Sequence, residues 1–332
     1  MSAPAPSLFT EAAIKTAEGL GLTKGRANLE VFADTLLTLA TSDKNVLAVT
    51  SDSRGSGKLV PFGQALPEQI VEVGIAEQNL VGIAAGLSSV GKNVFAVSPA
   101  CFLAARALEQ IKNDVAYSDN PVTLVGISAG VSYGALGTTH HSLHDFAALR
   151  AINNLRIIAP ADNFEAREAV LAAANLQEPV YLRFGKAALY NLPATDRFHV
   201  DKVRVLRQGK DATFIANGET VIHALLAAAL LEQRGITCNV ISAPSIKPLD
   251  GETVLSLAAD SKAVITVEEH MVNGGLGEAC AALIAQAAIN PKFKIMGIPD
   301  EYTVTGSQAD IFRHYGISME GLSETMLGLL EP

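Results

Sequence analysis

Glu77 is the first residue whose type and place suggest chemistry. It stands in Val71-Glu72-Val73-Gly74-Ile75-Ala76-Glu77-Gln78-Asn79, and the stretch behind it, Leu80 to Val90, is almost entirely Gly, Ala, Leu, Ile and Val. A helix that is apolar on all sides is a buried helix. A carboxylate where a charged segment meets such a helix loses hydration, which favours its neutral form and suits it to hold or pass a proton. The bland reading is a helix-start Glu that helps cap its own first turn.

A second unusual stretch runs from Gly130 to Asp145, a Gly-rich loop that ends in Thr138-Thr139-His140-His141-Ser142-Leu143-His144-Asp145. His140 and His144 are four apart and could share a helix face as metal ligands, but no motif supplies the remaining ligands. The other reading puts His144 and Asp145 at a helix start and leaves His140 facing a pocket, where an imidazole can donate to a hydroxyl or shuttle protons. The Gly-x-Ser-x-Gly elbow of a serine hydrolase is missing. Arg26, Ser56 and Arg183 are polar residues at helix or strand ends. Arg183 interrupts an apolar strand, so it requires either a ligand anion or an internal carboxylate.

The elements that must position these groups alternate regularly. Helical patterns cover Glu11 to Leu20 and Asn28 to Thr41, and the buried strand Val46 to Thr50 runs into the polar, Gly-rich loop Ser51 to Lys58. Loops at the carboxyl ends of buried strands are where α/β sheets bind ligands. Strands follow at Val94–Val97, Val122–Ile127, Arg156–Ala159 and Val180–Phe184, with helices at Phe102–Ala116 and Asn163–Ala174. Asn191 to Arg207 is polar and irregular and reads as a boundary. Beyond it, strands at Ala212–Ala216, Thr237–Ser242, Ala263–Glu268 and Lys294–Met296 alternate with helices at Thr220–Gln233, Asp250–Ala258 and Gly275–Ala288. Short apolar runs alternating with helices imply parallel sheets covered on both faces, here an α/β chain of two doubly wound domains.

The totals agree with that architecture. The chain has 332 residues, enough for two cores. Hydrophobic residues make up 49%, without a run long enough to span a membrane, which points to large buried interfaces and an oligomer. The net charge of −9 argues against nucleic acid or an acidic membrane as partners. The three cysteines, Cys101, Cys238 and Cys280, lie far apart in apolar segments, which suits a reducing cytoplasm. Met1 to Pro6 alternates Ser, Ala and Pro and reads as a disordered tail rather than a signal peptide.

In these residues the chain resembles the transketolase family, and more closely the C-terminal subunit of a split transketolase. The resemblance rests on Gly74-Ile75-Ala76-Glu77-Gln78-Asn79, Phe102 to Arg106 ahead of Glu109-Gln110-Ile111, Gly137-x-Thr139-His140, Leu149-Arg150-Ala151 and Pro160-Ala161-Asp162, in that order. It implies an N-terminal tail and helix over 1–25, a pyrimidine-binding domain over 26–192 and a transketolase C-terminal domain over 193–332. It further implies thiamine diphosphate bound between chains. Glu77 would meet the aminopyrimidine N1′, Phe102 would pack on that ring, and Asp52 would lie near the thiazolium. Arg26, Ser56 and Arg183 would hold a substrate phosphate, and His140 would act on the substrate. Two departures stand out, because Ser128 and Leu136 occupy positions where typical transketolases have a phosphate-contacting His and a hydroxyl-reading Asp. An apolar side chain cannot replace that acceptor, which points to a branched or otherwise modified ketose phosphate.

The family's Gly-Asp-Gly turn for Mg²⁺ and diphosphate does not occur in this sequence. The resemblance therefore implies an N-terminal partner subunit that carries that half of the site, in a heterotetramer with a homodimeric core. The other readings are the β subunit of a 2-oxo-acid dehydrogenase's decarboxylating component and a homologue that binds its partner without catalysis.

Overall fold

The computed structural model describes residues 7–194 and 197–331, so the expected tail Met1 to Pro6 lies outside the described residues. A seven-stranded sheet forms the first domain. Its spatial order is Ser245–Lys247, Arg156–Ile158, Val180–Arg183, Val122–Ile127, Asn93–Pro99, Val46–Thr50, Ile70–Glu72. All neighbours are parallel except the edge strand Ser245–Lys247. The central strands are buried on both faces, as their unbroken apolar runs require. The second domain is a five-stranded sheet in the order Lys292–Ile298, Ala263–Met271, Ala212–Ala216, Cys238–Ser242, Arg204–Arg207, antiparallel only at the last. The two doubly wound α/β units expected from the alternation are present.

The chain trades elements across its boundary. Arg204–Arg207, inside the stretch expected to be irregular, is an edge strand of the second sheet, and Ser245–Lys247 of the second domain extends the first sheet. The helix expected over Phe102–Ala116 divides into Ala100–Arg106, a turn at Leu108–Gln110 and a π-helical segment Ile111–Tyr117. The helix Glu77–Ser89 is not enclosed on all sides: Leu80, Val81, Ala84 and Ala85 are buried, whereas Gln78, Asn79, Gly82 and Gly86 form an open face. Because all strands feeding the first sheet's carboxyl edge run parallel, the loops after Thr50, Glu72, Pro99, Ile127 and Arg183 gather on one side.

The N-terminal helix Glu11–Gly19, started by Thr10 accepting from Ala13 N, belongs to the second domain's core, where Phe9, Ala13 and Ala17 pack with Leu225 and Ala228. His223 is buried there, stacked on Phe9 at 5.2 Å and edge-on to Phe312 at 5.5 Å, with no partner for Nε2 among the described residues. Burial pushes this imidazole down to about 4. The unfolded chain therefore binds the extra proton and the folded one does not, so His223 removes stability as pH falls below its unfolded value. His223→Leu should abolish that loss, worth about 3 kcal/mol between neutral pH and about pH 4. Urea unfolding at both pH values checks this; identical acid sensitivity in the two proteins would refute it.

Candidate active site

Glu77 is delivered by a turn at the carboxyl edge of the first sheet. Val73 N donates to Thr50 O at 3.0 Å, and Gly74 takes φ +72. Glu72 ties this turn to the neighbouring loop: its Oε1 accepts from Asp52 N at 2.6 Å and from Gly74 N at 3.2 Å, and its Oε2 lies 3.3 Å from Arg54 Nε. Glu77 opens the helix Glu77–Ser89 and is 3% exposed. It does not cap its own turn. Instead its Oε2 accepts from Arg106 Nη1 at 2.9 Å, so the apolar setting expected from the sequence holds one cation. Arg106 is half-exposed, so the pair keeps one edge open toward the cleft.

From this ion pair a continuous line of contacts crosses the site. The Arg106 guanidinium lies 4.4 Å over the Phe102 ring, one helical turn earlier on Ala100–Arg106. Phe102 meets the His140 ring edge-on at 5.4 Å, and His140 meets Tyr133 edge-on at 5.5 Å. Lys186 Nζ sits 4.0 Å over the Tyr133 ring. The structure thus brings Glu77, Phe102 and His140 together, although they come from two helices and a loop that are distant in the chain. Arg106, Tyr133 and Lys186 complete the line and were not singled out in the sequence. The spacing of Phe102 and Arg106 on one helix was the available signal for the first. Nothing in the local pattern marked the others.

His140 is half-buried and its Nδ1 lies 3.0 Å from Thr139 Oγ1. His141 is buried and structural: Nε2–H donates to Gly134 O at 2.9 Å, which leaves Nδ1 to accept from Thr303 at 2.8 Å. His144 precedes the helix Asp145–Arg150, makes no side-chain cap and is exposed. His140 and His144 therefore share no helix face, and no group of three His, Cys, Asp or Glu among the described residues is placed for a metal. Ser128 is buried with φ +53. Burial pushes the nearby Tyr133 phenol up, and the Ser128 hydroxyl opposes that shift. Leu136 ends the turn Gly134–Leu136 and is 56% exposed.

Asp52, at φ +52, is exposed at the start of the loop that carries half-buried Ser56. Arg26 lines a cleft with Gly55 and Lys58, and pairs with Asp34 at 2.7 Å where both are exposed. Lys186 is exposed at the surface, and desolvation and the charge of Lys58 pull its pKa down. Lys58 also pairs with Glu30 at 3.4 Å, and two neighbouring cations of this kind can attract an anion.

Arg183 departs from expectation. It is 6% exposed, and its donors are engaged inside the protein: Nε to Asp145 Oδ2 at 2.8 Å, Nη2 to Ser142 O at 3.0 Å and to Glu269 O at 2.9 Å. Its guanidinium also covers the Phe146 ring at 4.4 Å. It has no free fork for a substrate phosphate. Burial would raise Asp145, but the Arg183 charge and the hydrogen bonds from Arg183 and from the Tyr181 hydroxyl at 2.7 Å are among the contacts that together hold the carboxyl below the usual range. Asp145→Asn strands a buried cation and should destabilise the chain by about 3–5 kcal/mol, whereas Asp145→Leu with Arg183→Met should be milder. Chemical denaturation checks the order, and a harmless Asp145→Asn would rule out this structural role.

Comparison with known proteins agrees with the two-unit architecture. The transketolase pyrimidine-binding domain matches residues 24–191, and the transketolase C-terminal domain matches residues 201–322. The chain is 48% identical over 299 residues to a subunit of the apulose-4-phosphate transketolase of Phocaeicola vulgatus, covering 89% of this chain and 95% of that one. It is 34% identical to a putative transketolase C-terminal section of Methanocaldococcus jannaschii, covering 89% and 94%. A solved structure described as a split gene transketolase, inactive beta4 tetramer, superposes with a TM-score of 0.82 at 34% identity, covering 92% of this chain and 98% of that one. With both of its domains matched and a buried glutamate at the carboxyl edge of the first, this chain belongs to the transketolase family.

Proposed function

We propose that this chain is the C-terminal subunit of a two-chain transketolase that moves a two-carbon ketol unit from a branched ketose phosphate of the apulose 4-phosphate type to an aldose. The observation that carries the reading is the line Glu77–Arg106–Phe102–His140, an acid, an aromatic wall and an imidazole on one sheet edge. The kinship to a subunit of an apulose-4-phosphate transketolase supports the substrate class.

The residues present fit thiamine diphosphate. Glu77 offers a buried carboxyl whose Oε1 has no partner among the described residues, and Phe102 offers a ring face beside it. The bound cofactor supplies the nucleophilic carbon that accepts the ketol unit. Glu77 would hold a proton at the aminopyrimidine N1′, with its other oxygen tied to Arg106. Phe102 excludes water from one face of the ring. His140, aligned by Thr139, donates to the substrate hydroxyl that must change its proton. Lys186 and Lys58, with Arg26 in the adjoining cleft, attract the terminal phosphate, the role that Arg183 was expected to share. Leu136 offers no acceptor to a hydroxyl beside the scissile bond.

Mg²⁺ and the diphosphate fall to a partner subunit in this reading, and the solved relative described as an inactive beta4 tetramer supports it. Exposed Ile75 and Val90 flank the open face of the Glu77 helix and offer an apolar surface for a neighbouring chain.

Glu77→Gln keeps size but cannot cycle a proton, so the assembled complex should lose about 10²-fold or more in kcat. Wild-type turnover in that variant would leave Glu77 a structural residue. Donor choice tests the substrate reading. Leu136→Asp should raise the ratio of kcat/KM for xylulose 5-phosphate over apulose 4-phosphate, and Lys186→Met should raise KM for both by about tenfold. If the wild-type complex already prefers xylulose 5-phosphate, the branched-donor reading falls.

A further inference from the structure

Two carboxylic acids from the second domain are buried against the loops of the first, and nothing in the reaction uses them. Glu219 lies on the turn Gly218–Thr220 and Glu269 in the strand Ala263–Met271. A single amide joins them: Gln308 Nε2 donates to Glu219 Oε2 at 2.7 Å and to Glu269 Oε1 at 2.9 Å. Each acid also holds one loop of the first domain by its backbone. Val131 N donates to Glu269 Oε1 at 2.9 Å, and Ala187 N donates to Glu219 Oε1 at 3.2 Å.

Both approaches require glycine. A Cβ at Gly130 would sit 2.2 Å from Glu269 Cδ, and one at Gly185 would sit 2.1 Å from Glu219 Oε1. The held segments are the two that meet in the site, because Val131 is two residues before Tyr133 and Ala187 follows Lys186, and Lys186 covers the Tyr133 ring. Tyr133 in turn packs on His140.

We propose that Glu219 and Glu269, bridged by Gln308, form a positioning latch through which the second domain sets Tyr133, Lys186 and His140, closed while the pair carries a proton and loosened when both acids ionise. The donors reaching the two carboxyls are neutral amides. The charged groups facing the pair are few: Arg183 from the strand Val180–Arg183, whose donors are engaged by Asp145 and by the carbonyls of Ser142 and Glu269, and each acid's own partner. Burial pushes both acids up, and the Glu219 charge pushes Glu269 further, while the amide donors of Gln308, Ala187 and Val131 and the Arg183 charge oppose without reversing the shift. An acid raised in the folded state contributes stability at low pH that is lost as pH rises through its folded value, so the latch weakens on the alkaline side.

The latch itself is testable on the full chain, and its effect on catalysis rests on the transketolase reading. Amide hydrogen exchange in segments 129–137 and 185–190 should speed up between about pH 7 and about pH 9 by more than the intrinsic rise, and Glu269→Gln, a neutral isostere, should remove the excess. Glu269→Ala should show the fast exchange already at about pH 7. In the assembled complex kcat/KM should fall about tenfold over the same interval for wild type and stay within about twofold for Glu269→Gln. Exchange and pH profile identical in wild type and Glu269→Gln would overturn the latch. Protected, pH-dependent exchange in a complex without ketol transfer would support the latch and overturn the function instead.

Discussion

The arrangement of the chain depends on one buried ion pair, Arg183 with Asp145. Arg183 comes from the centre of the first sheet and Asp145 from the start of the helix that follows the His140 loop. The same guanidinium binds the Ser142 carbonyl at the end of that loop and the Glu269 carbonyl in the second domain. Removing both charges from water is expensive, and the cost is recovered only when every acceptor is in place. Alternative placements of loop or domain would leave a charge unpaired, so the pair discriminates among arrangements more than it stabilises any one of them. His270, stacked on Phe146 at 5.0 Å and held neutral by burial, completes the packing without adding a competing cation.

Around that anchor the site has an uneven distribution of charge. Its cations, Arg106, Lys186, Lys58 and Arg26, lie at the carboxyl edge of the first sheet. Of the acids there, Glu77 is tied to Arg106, Glu72 to backbone amides and Arg54, Asp34 to Arg26 and Glu30 to Lys58, and Asp52 is exposed. The open face of the helix Glu77–Ser89 and the exposed Ile75 and Val90 add an apolar border. Such a border suits the partner subunit proposed above.

Much of this was legible in the sequence, for identifiable reasons. Buried parallel strands read as apolar runs because both faces are covered, so both sheets were visible as alternation. Glu77 was visible because an acid against an apolar helix violates the usual pattern. What escaped is set by contacts distant in the chain. Ser245–Lys247 is three residues long and gains its partner only by crossing to the other domain. Arg183 looked like a ligand-binding arginine because its partner, Asp145, is 38 residues away and reads locally as a helix start. Lys186, three positions further on, looks like an ordinary surface lysine until the fold stacks it on Tyr133 and brings Lys58 near. Residue type reveals that a buried charge needs a partner, and only the fold says which.

Ser128 and Leu136, the two positions where a departure from the family pattern is expected, lie on a loop that is held at several points. That loop is pinned at Val131 by Glu269, at Gly134 by His141, and at Ser142 by Arg183. Its backbone is therefore set by groups that do not face the cleft. Side chains that do face outward, Leu136 among them, can change without disturbing the frame, because none of the pins uses them. In the proposed reading, substrate choice can then vary independently of the proton chemistry assigned to Glu77, which comes from another element with Arg106 as its partner. The buried ion pair and the second domain's Glu269 hold the loop backbone from behind, and the exposed side chains on it are the ones free to differ.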